Sequence, residues 1–436
     1  MQSDAYGLPI TTGSPEALAA YDRGVEAALG WKASALDLFR EATTRDPALA
    51  VAHAGAAACL FLEERFAETK AASDAARTTM ASASPREQSY VDAVTTWTAG
   101  RIPEAEQAMR KHVRQWPADL AIVQRLYFVF FWQGKFPEML DATTELIGHH
   151  ADRSSMMGMH AFALEEAGRC PEAIALAERA LDRNPTDAWS IHALAHALYE
   201  SGSFDAGIAE LPGRIGPCQG LNWFKNHLWW HLVLLHLSRG EYDRVSEMSR
   251  EHFEREPSSI AGDLHDSISL LWRLELMGRP PGDRWKPFVA IARERVTRTG
   301  LYFHVAHVAM ALGAGGESAA AEQQQALLRD RAPKDRTGLM GDVLVPLVDG
   351  IHAFAAGDFA RVTERIEPLR PRLVELGGSR AQRDVFHDTL IEACIRAGDK
   401  DRAQRLLAER LQRRPDHFWV TRSARTERGP QPLSHR

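Results

Sequence analysis

The sequence has few cysteines, no basic excess and no long apolar run, and each lack excludes something. Only Cys59, Cys170, Cys218 and Cys394 occur, without a CxxC pair among them. A disulfide framework is not expected, buried reduced thiols are, and a reducing compartment fits. The net charge is −6, which argues against a general nucleic-acid binder. The nearest thing to a membrane span, LWWHLVLLHL, is too short and carries histidines, so no membrane contact is expected. The start, MQSDAYGLPITTGSPEA, shows neither the charge nor the apolar core of a secretory leader. The expected location is therefore cytoplasmic. GxSxG, HExxH and a phosphate-binding glycine loop are all missing, which argues against a conventional hydrolase or nucleotide enzyme. No alternation of apolar and polar residues suggests a strand.

What is present is a repeat. Gly100, Gly134, Gly168 and Gly202 stand 34 residues apart, and Gly30, Gly240, Gly278, Gly313, Gly357 and Gly398 extend the series at 34 to 44, with Arg65 filling one slot. Pro47, Pro117, Pro185, Pro257 and Pro415 each fall 17 residues after a glycine of that series. Glycine permits the left-handed end of a first helix, and proline blocks extension of a second. The clearest copy is MMGMHAFALEEAGRCPEAIALAERALDRNP, where Ala161, Ala173 and Ala180 let helices approach closely. The pattern resembles the tetratricopeptide repeat. The expected fold is all-α, an α-α superhelix (solenoid) of about eleven hairpins. It forms one array over 16–415, with a candidate flexible linker at 329–338 and a polar basic tail at 420–436 expected to be disordered.

Five of the 18 histidines fall within 187–240. His192 and His196 share one helix face, as do His227 and His231 on the next apolar helix. In tetratricopeptide arrays the second, fifth, sixth, ninth and thirteenth places of a repeat usually line the concave groove. On that map His192, His196 and Glu200 line it from one hairpin and His227 and His231 from the next. His265, beside Asp266, and then His304 and His307 follow from later hairpins. Early groove places, among them Arg125, Phe128 and Phe162, are mostly apolar or aromatic, which suits a small molecule better than an acidic peptide tail.

The stretches PTDAWSIHALAHALYE, NWFKNHLWWHLVLLHLSRGEYDRV and LGGSRAQRDVFHDTLIEA resemble the tetratricopeptide-repeat protein 38 family, along nearly the whole chain. The resemblance implies a soluble, intracellular helical-repeat protein. It supplies no reaction and no catalytic residues.

Three readings follow. The first is a small, partly apolar ligand held in a His-rich concave pocket, with acid/base chemistry open to it. Its candidate catalytic groups are His192, His196, His227, His231, Asp266 and Asp384; its candidate ligand contacts are Trp230, Asn226, Glu200, His304, His307, Arg383, Phe128 and Phe162. The second is a scaffold for a partner peptide. The third is a metal-dependent enzyme with His192, His196, His227 and His231 around a transition metal, Glu200, Asp266 or His304 completing the shell. Ser379 and Gln382 read as a capping box. Asp384, Asp388 and Glu392 read as a solvated acidic row, and His149, His150, His252 and His417 as surface or loop residues. Trp223, Trp229, Trp230 and Trp272 read as core.

Overall fold

A computed structural model describes residues 2–414. The last proline mark, Pro415, His417 and the 420–436 tail lie outside the described residues. The fold is an all-α helical-repeat solenoid. Among the described residues 22 α-helices follow one another in chain order, the number that about eleven hairpins require.

The two helices of a hairpin bury themselves differently. Leu120–Trp132 (LAIVQRLYFVFFW) is apolar all round and buried on nearly every position, as a helix flanked on several sides must be. The second helix of the next hairpin, Cys170–Arg183, buries only Cys170, Ala173, Ala177, Ala180 and Leu181. That is a single stripe at helical spacing, with charge on the rest. Small residues set the close approaches. A Cβ on Gly55 would stand 2.6 Å from Phe39, so only glycine lets that ring lie against the backbone.

Eight glycines of the series, from Gly100 to Gly398, have φ between 67° and 80°, the left-handed helix end expected of them. The rest depart from the pattern. Gly30 keeps φ −87° and Trp31 after it takes φ 58°; Glu64, not Arg65, turns the next hairpin at φ 58°. Gly313 lies inside the helix Tyr302–Ala314, and Gly316 makes the turn three residues on. One feature was not anticipated: Gln2–Ser3 pairs antiparallel with Pro9–Ile10. The Asp4 carboxylate closes that turn by accepting from Tyr6 N and Leu8 N, a local bond with no periodic signature.

The chain divides into two compact units. The first takes in the chain up to Phe131, then Phe136–Leu194 and Gly213–Lys225; the second takes in Trp132–Lys135, Ala195–Pro212 and the chain from Asn226 on. Four of the five cuts fall within helices, and residues 329–338 lie inside the second unit. That segment ends the helix Ser318–Arg331, makes a 3-10 turn over Ala332–Lys334 and closes with Asp335 accepting from Met340 N at 2.8 Å.

Within the first unit the core is aromatic. Trp31 stacks on Trp189 (5.6 Å between centroids) and on Phe224 (4.4 Å) and meets Phe128 edge-on. Within the second unit two turns bring backbone against backbone. A Cβ on Gly134 would lie 1.9 Å from Val374 O, and one on Gly377 would lie 2.6 Å from Trp132 O. Two π-helical segments, Arg250–Glu254 and Met340–Leu344, interrupt its helices. They fall in the half of the chain where the repeat step lengthens beyond 34.

Candidate functional site: a buried histidine cluster

The helix Ala188–Glu200 carries His196, and Phe224–Ser238 carries His227 and His231. All three are buried. Each offers a ring nitrogen within 4.8 Å of the others. His231 Nε2 lies 3.1 Å from His227 Nε2, and the rings of His196 and His231 are 4.2 Å apart. The i, i+4 spacing puts His227 and His231 one above the other on a single face.

Asp266, on the helix Ala261–Leu276, stands behind His227 with Oδ2 2.6 Å from Nδ1. The carboxylate accepts, so Nδ1 is the donor, and Nε2 on the far side of the ring faces His231. Asp266 Oδ1 in turn accepts from Gln382 Nε2 at 3.3 Å, and Gln382 Oε1 accepts from Ser379 N at 2.9 Å. The capping box at Ser379–Gln382 therefore does a second job: it orients the amide that holds Asp266. Trp230, fully buried, stacks on His227 with centroids 5.7 Å apart, and the Arg273 guanidinium lies over the Trp230 ring.

Burial holds His196 well below the usual imidazole range, with the charges of His227 and Arg383 adding to it. It is neutral at physiological pH. Asn226 donates from Nδ2 to the Asp263 carboxylate at 3.1 Å; burial, partly offset by this bond, raises Asp263 to about 6.

His192, one turn before His196 on the same helix, is buried in the first unit, stacked on Phe162 (5.0 Å) and against Trp189 (4.4 Å). Phe162 and Phe128 belong to that packed aromatic core, where rings fill the space against one another. His265, His304 and His307 form a separate group around Phe303. Arg295 Nε donates to His304 Nε2 (2.7 Å), His307 Nδ1 donates to Phe303 O (2.8 Å), and Gln382 Nε2 donates to His265 Nε2 (3.0 Å). Arg383 Nη1 bonds Gly378 O, so it braces the LGG turn.

Three expectations are corrected. Glu200 does not back a histidine: its Oε1 accepts from Arg414 Nη1 at 2.6 Å, both groups buried. Asp384, Asp388 and Glu392 are not a solvated row. Asp384 is bound by Arg410, Arg413 and Arg414, Asp388 by Arg410 (3.1 Å) and Glu392 by Arg396 (2.9 Å). Asp384 is thus an ion-pair anchor for the last helix, and those arginines hold its carboxyl well below the usual carboxylate range against the opposing effect of burial. His150 is buried, with Nε2 donating to Pro117 O at 2.9 Å, and His252 stacks on Trp229 at 4.6 Å. The acidic row misled because the partners of Asp384 and Asp388 lie in the arginine-rich run 402–414, which as sequence reads like a solvated amphipathic helix.

No family model matches the chain. Among solved structures, the chain is similar to one titled "Structure of Naa15/Naa10 bound to HypK-THB" at 13% identity and a TM-score of 0.25. The match covers 94% of this chain and 66% of that one, just under two thirds. The tetratricopeptide domain of P58(IPK) matches at 10% identity and a TM-score of 0.24, covering 81% of this chain and 90% of that one. Neither likeness bears on the site.

Proposed function

We propose that this chain is a helical-repeat protein that holds a transition-metal ion on His196, His227 and His231, with Asp266 as the outer carboxylate. One observation carries the reading: three buried imidazoles converge within 4.8 Å, and the one best oriented is fixed by a carboxylate on its far nitrogen. Metal-bound histidine usually donates its other ring N–H to such an acceptor, which sets the tautomer and raises basicity. Neutral imidazole is also the form a metal needs, and burial keeps His196 neutral. An all-nitrogen donor set without thiolate suits zinc, copper, nickel or iron. Such an ion, when bound, supplies Lewis acidity. The residues here orient the donors and, through Trp230 and Leu228, keep the surroundings apolar. A small organic ligand held by the same histidines is less well supported, because the aromatic groove places meant to receive it are packed against one another.

We further propose membership of the tetratricopeptide-repeat protein 38 family, on the DAW–HxxxH, Asn-His–Trp-His and LGGSxAQRDVF stretches. The last two lie on Asp266's side of the site, at His227 and at Gln382. Four free cysteines suit a cytoplasmic setting.

The test is elemental analysis of the purified, untagged protein beside His227→Ala/His231→Ala and Asp266→Asn, each checked for folding by circular dichroism. The expectation is about one transition-metal ion per chain, absent from the folded double variant and bound about 10–100-fold more weakly by Asp266→Asn. No metal in wild-type protein, even after incubation with zinc, copper, nickel and iron salts, rejects the proposal. The histidines would then be a hydrogen-bonded core.

A further inference from the structure

The first unit contains a narrow cleft away from the histidines. Trp31, Trp223, Leu36 and Leu62 wall it, and Arg125, Lys32 and Glu63 also line it. Its polar groups are unbalanced. Arg125 is only 8% exposed, yet among the described residues no carboxylate pairs with it. Its Nη1 donates to the neutral Gln124 Oε1 at 3.2 Å, and the guanidinium lies 5.6 Å from the Trp97 ring. Glu63 does not serve it, since Arg65 holds that carboxylate at 3.1 Å. The indole Nε1 atoms of Trp31 and Trp223 are both buried without an acceptor. The cleft therefore presents a cation without a counter-charge and two N–H donors without an acceptor.

A buried donor or cation without a partner is costly, and a site that keeps several is complementary to an acceptor it does not itself contain. The local backbone is also unusual. The only non-glycine residues with positive φ among those described are Trp31 and Glu64, which follow the helices Pro15–Leu29 and Ala50–Leu62. A bulky aromatic is rare in that region. Trp31 is held there by its ring contacts with Phe224 and Phe128 and by Asn222 N donating to Trp31 O at 2.9 Å. A glycine in its place, the usual choice at this position, would supply neither the wall nor the donor.

We propose that this cleft binds a small organic monocarboxylate, its two oxygens on Arg125 and the indole N–H groups and its apolar body between Trp223, Leu36 and Leu62. A planar carboxylate suits the guanidinium fork, and the guanidinium without a counter-charge favours it over a neutral amide of the same shape. The narrow apolar walls favour an organic body over inorganic phosphate.

The test is titration of the full chain with phenylacetate and with butyrate, followed by isothermal calorimetry and ligand-observed NMR in physiological salt. Phenylacetamide and inorganic phosphate serve as controls. At least one carboxylate should bind, and the amide should bind about tenfold more weakly or worse. Arg125→Met should lose carboxylate binding by a similar factor with its circular dichroism unchanged. Should Arg125→Met not fold, Trp223→Phe removes one donor while keeping the wall, and should weaken binding several-fold. No binding of either carboxylate to the folded wild-type protein overturns the proposal. So does equal binding of acid and amide, displacement of the carboxylate by phosphate at equal concentration, or full binding by whichever of these variants folds.

Discussion

The two units solve the same repeat problem with different materials. In the first, aromatic rings fill much of the inner helix faces, Trp31, Tyr127, Phe128, Phe162, Trp189 and Phe224 packing against one another beside a buried ion-pair group of Arg86 with Asp4, Asp119 and His112. In the second, the inner faces are polar yet closed to water. They hold the histidine cluster, Asp266 and Gln382, and the network joining Glu200, Asp384 and Asp388 to Arg410 and Arg414. Aromatic packing is non-directional and tolerates change in detail. A buried polar network demands that every partner be in place. The steps of 34 run from Gly100 to Gly202, and the longer steps and the π segments follow after Gly202. Directional partners leave less freedom in where each helix sits.

The largest way to break this contrast is to remove one member of the second unit's network. Asp384→Ala strips the carboxylate from Arg410 and Arg414, both buried. The loss should be about 3–5 kcal/mol, read as the shift of the urea unfolding midpoint. A loss below about 1 kcal/mol would show that the network is solvated and the contrast false.

Close backbone packing gives the next test. Gly134→Ala forces a Cβ to within 1.9 Å of Val374 O at φ 67° and should cost about 3–4 kcal/mol. Gly100→Ala, at φ 75° with open space around it, should cost about 1 kcal/mol. Equal costs would mean that the tight approach relaxes freely. Both are measurable by chemical denaturation.

Acid should act chiefly on the second unit. Burial pushes His265, His352 and His387 down to about 4. A histidine kept neutral in the folded state takes up its proton first when unfolded. The stability this confers is whole above about pH 6.5 and is lost as pH falls towards 4, by about 1.4 kcal/mol per group per pH unit. Asp263, raised to about 6 by burial, works in the opposite direction between 6 and its ordinary value, and offsets part of the loss. Melting temperatures between pH 7 and pH 5 should therefore fall. A flat profile would mean that these histidines are accessible to water.

The smallest expected effect lies in the aromatic unit. Phe128→Leu removes one of several ring partners of Trp31 and Trp189 and should cost about 1 kcal/mol. A thermal-shift assay reads it, and a cost above about 3 kcal/mol would erase the difference in tolerance between the two cores.

Much of the fold was legible because it rests on short-range chemistry. Gly100 to Gly202 at 34-residue intervals and Ser379 before Gln382 announce helix ends that the structure contains. Trp31 broke the rule because its ring contacts, with Trp189 and Phe224 far along the chain, outweigh the conformational preference for glycine. Of the candidate site, the pairing of His227 with His231 follows from helix geometry alone. The partners of Glu200 and Asp384 did not, since Arg414 lies 214 residues from the first and 30 from the second.

The amino-acid sequence by itself determined the all-α hairpin repeat, the helix ends and the concentration of histidine on two helix faces, because each depends on residues within a turn or two of one another. The tertiary structure alone decided which carboxylates are proton partners and which are ion-pair anchors. Asp266 stands behind His227 while Asp384 and Glu200 bind arginines of the last helix, and that choice depends on which helices meet, a matter of packing across long stretches of chain.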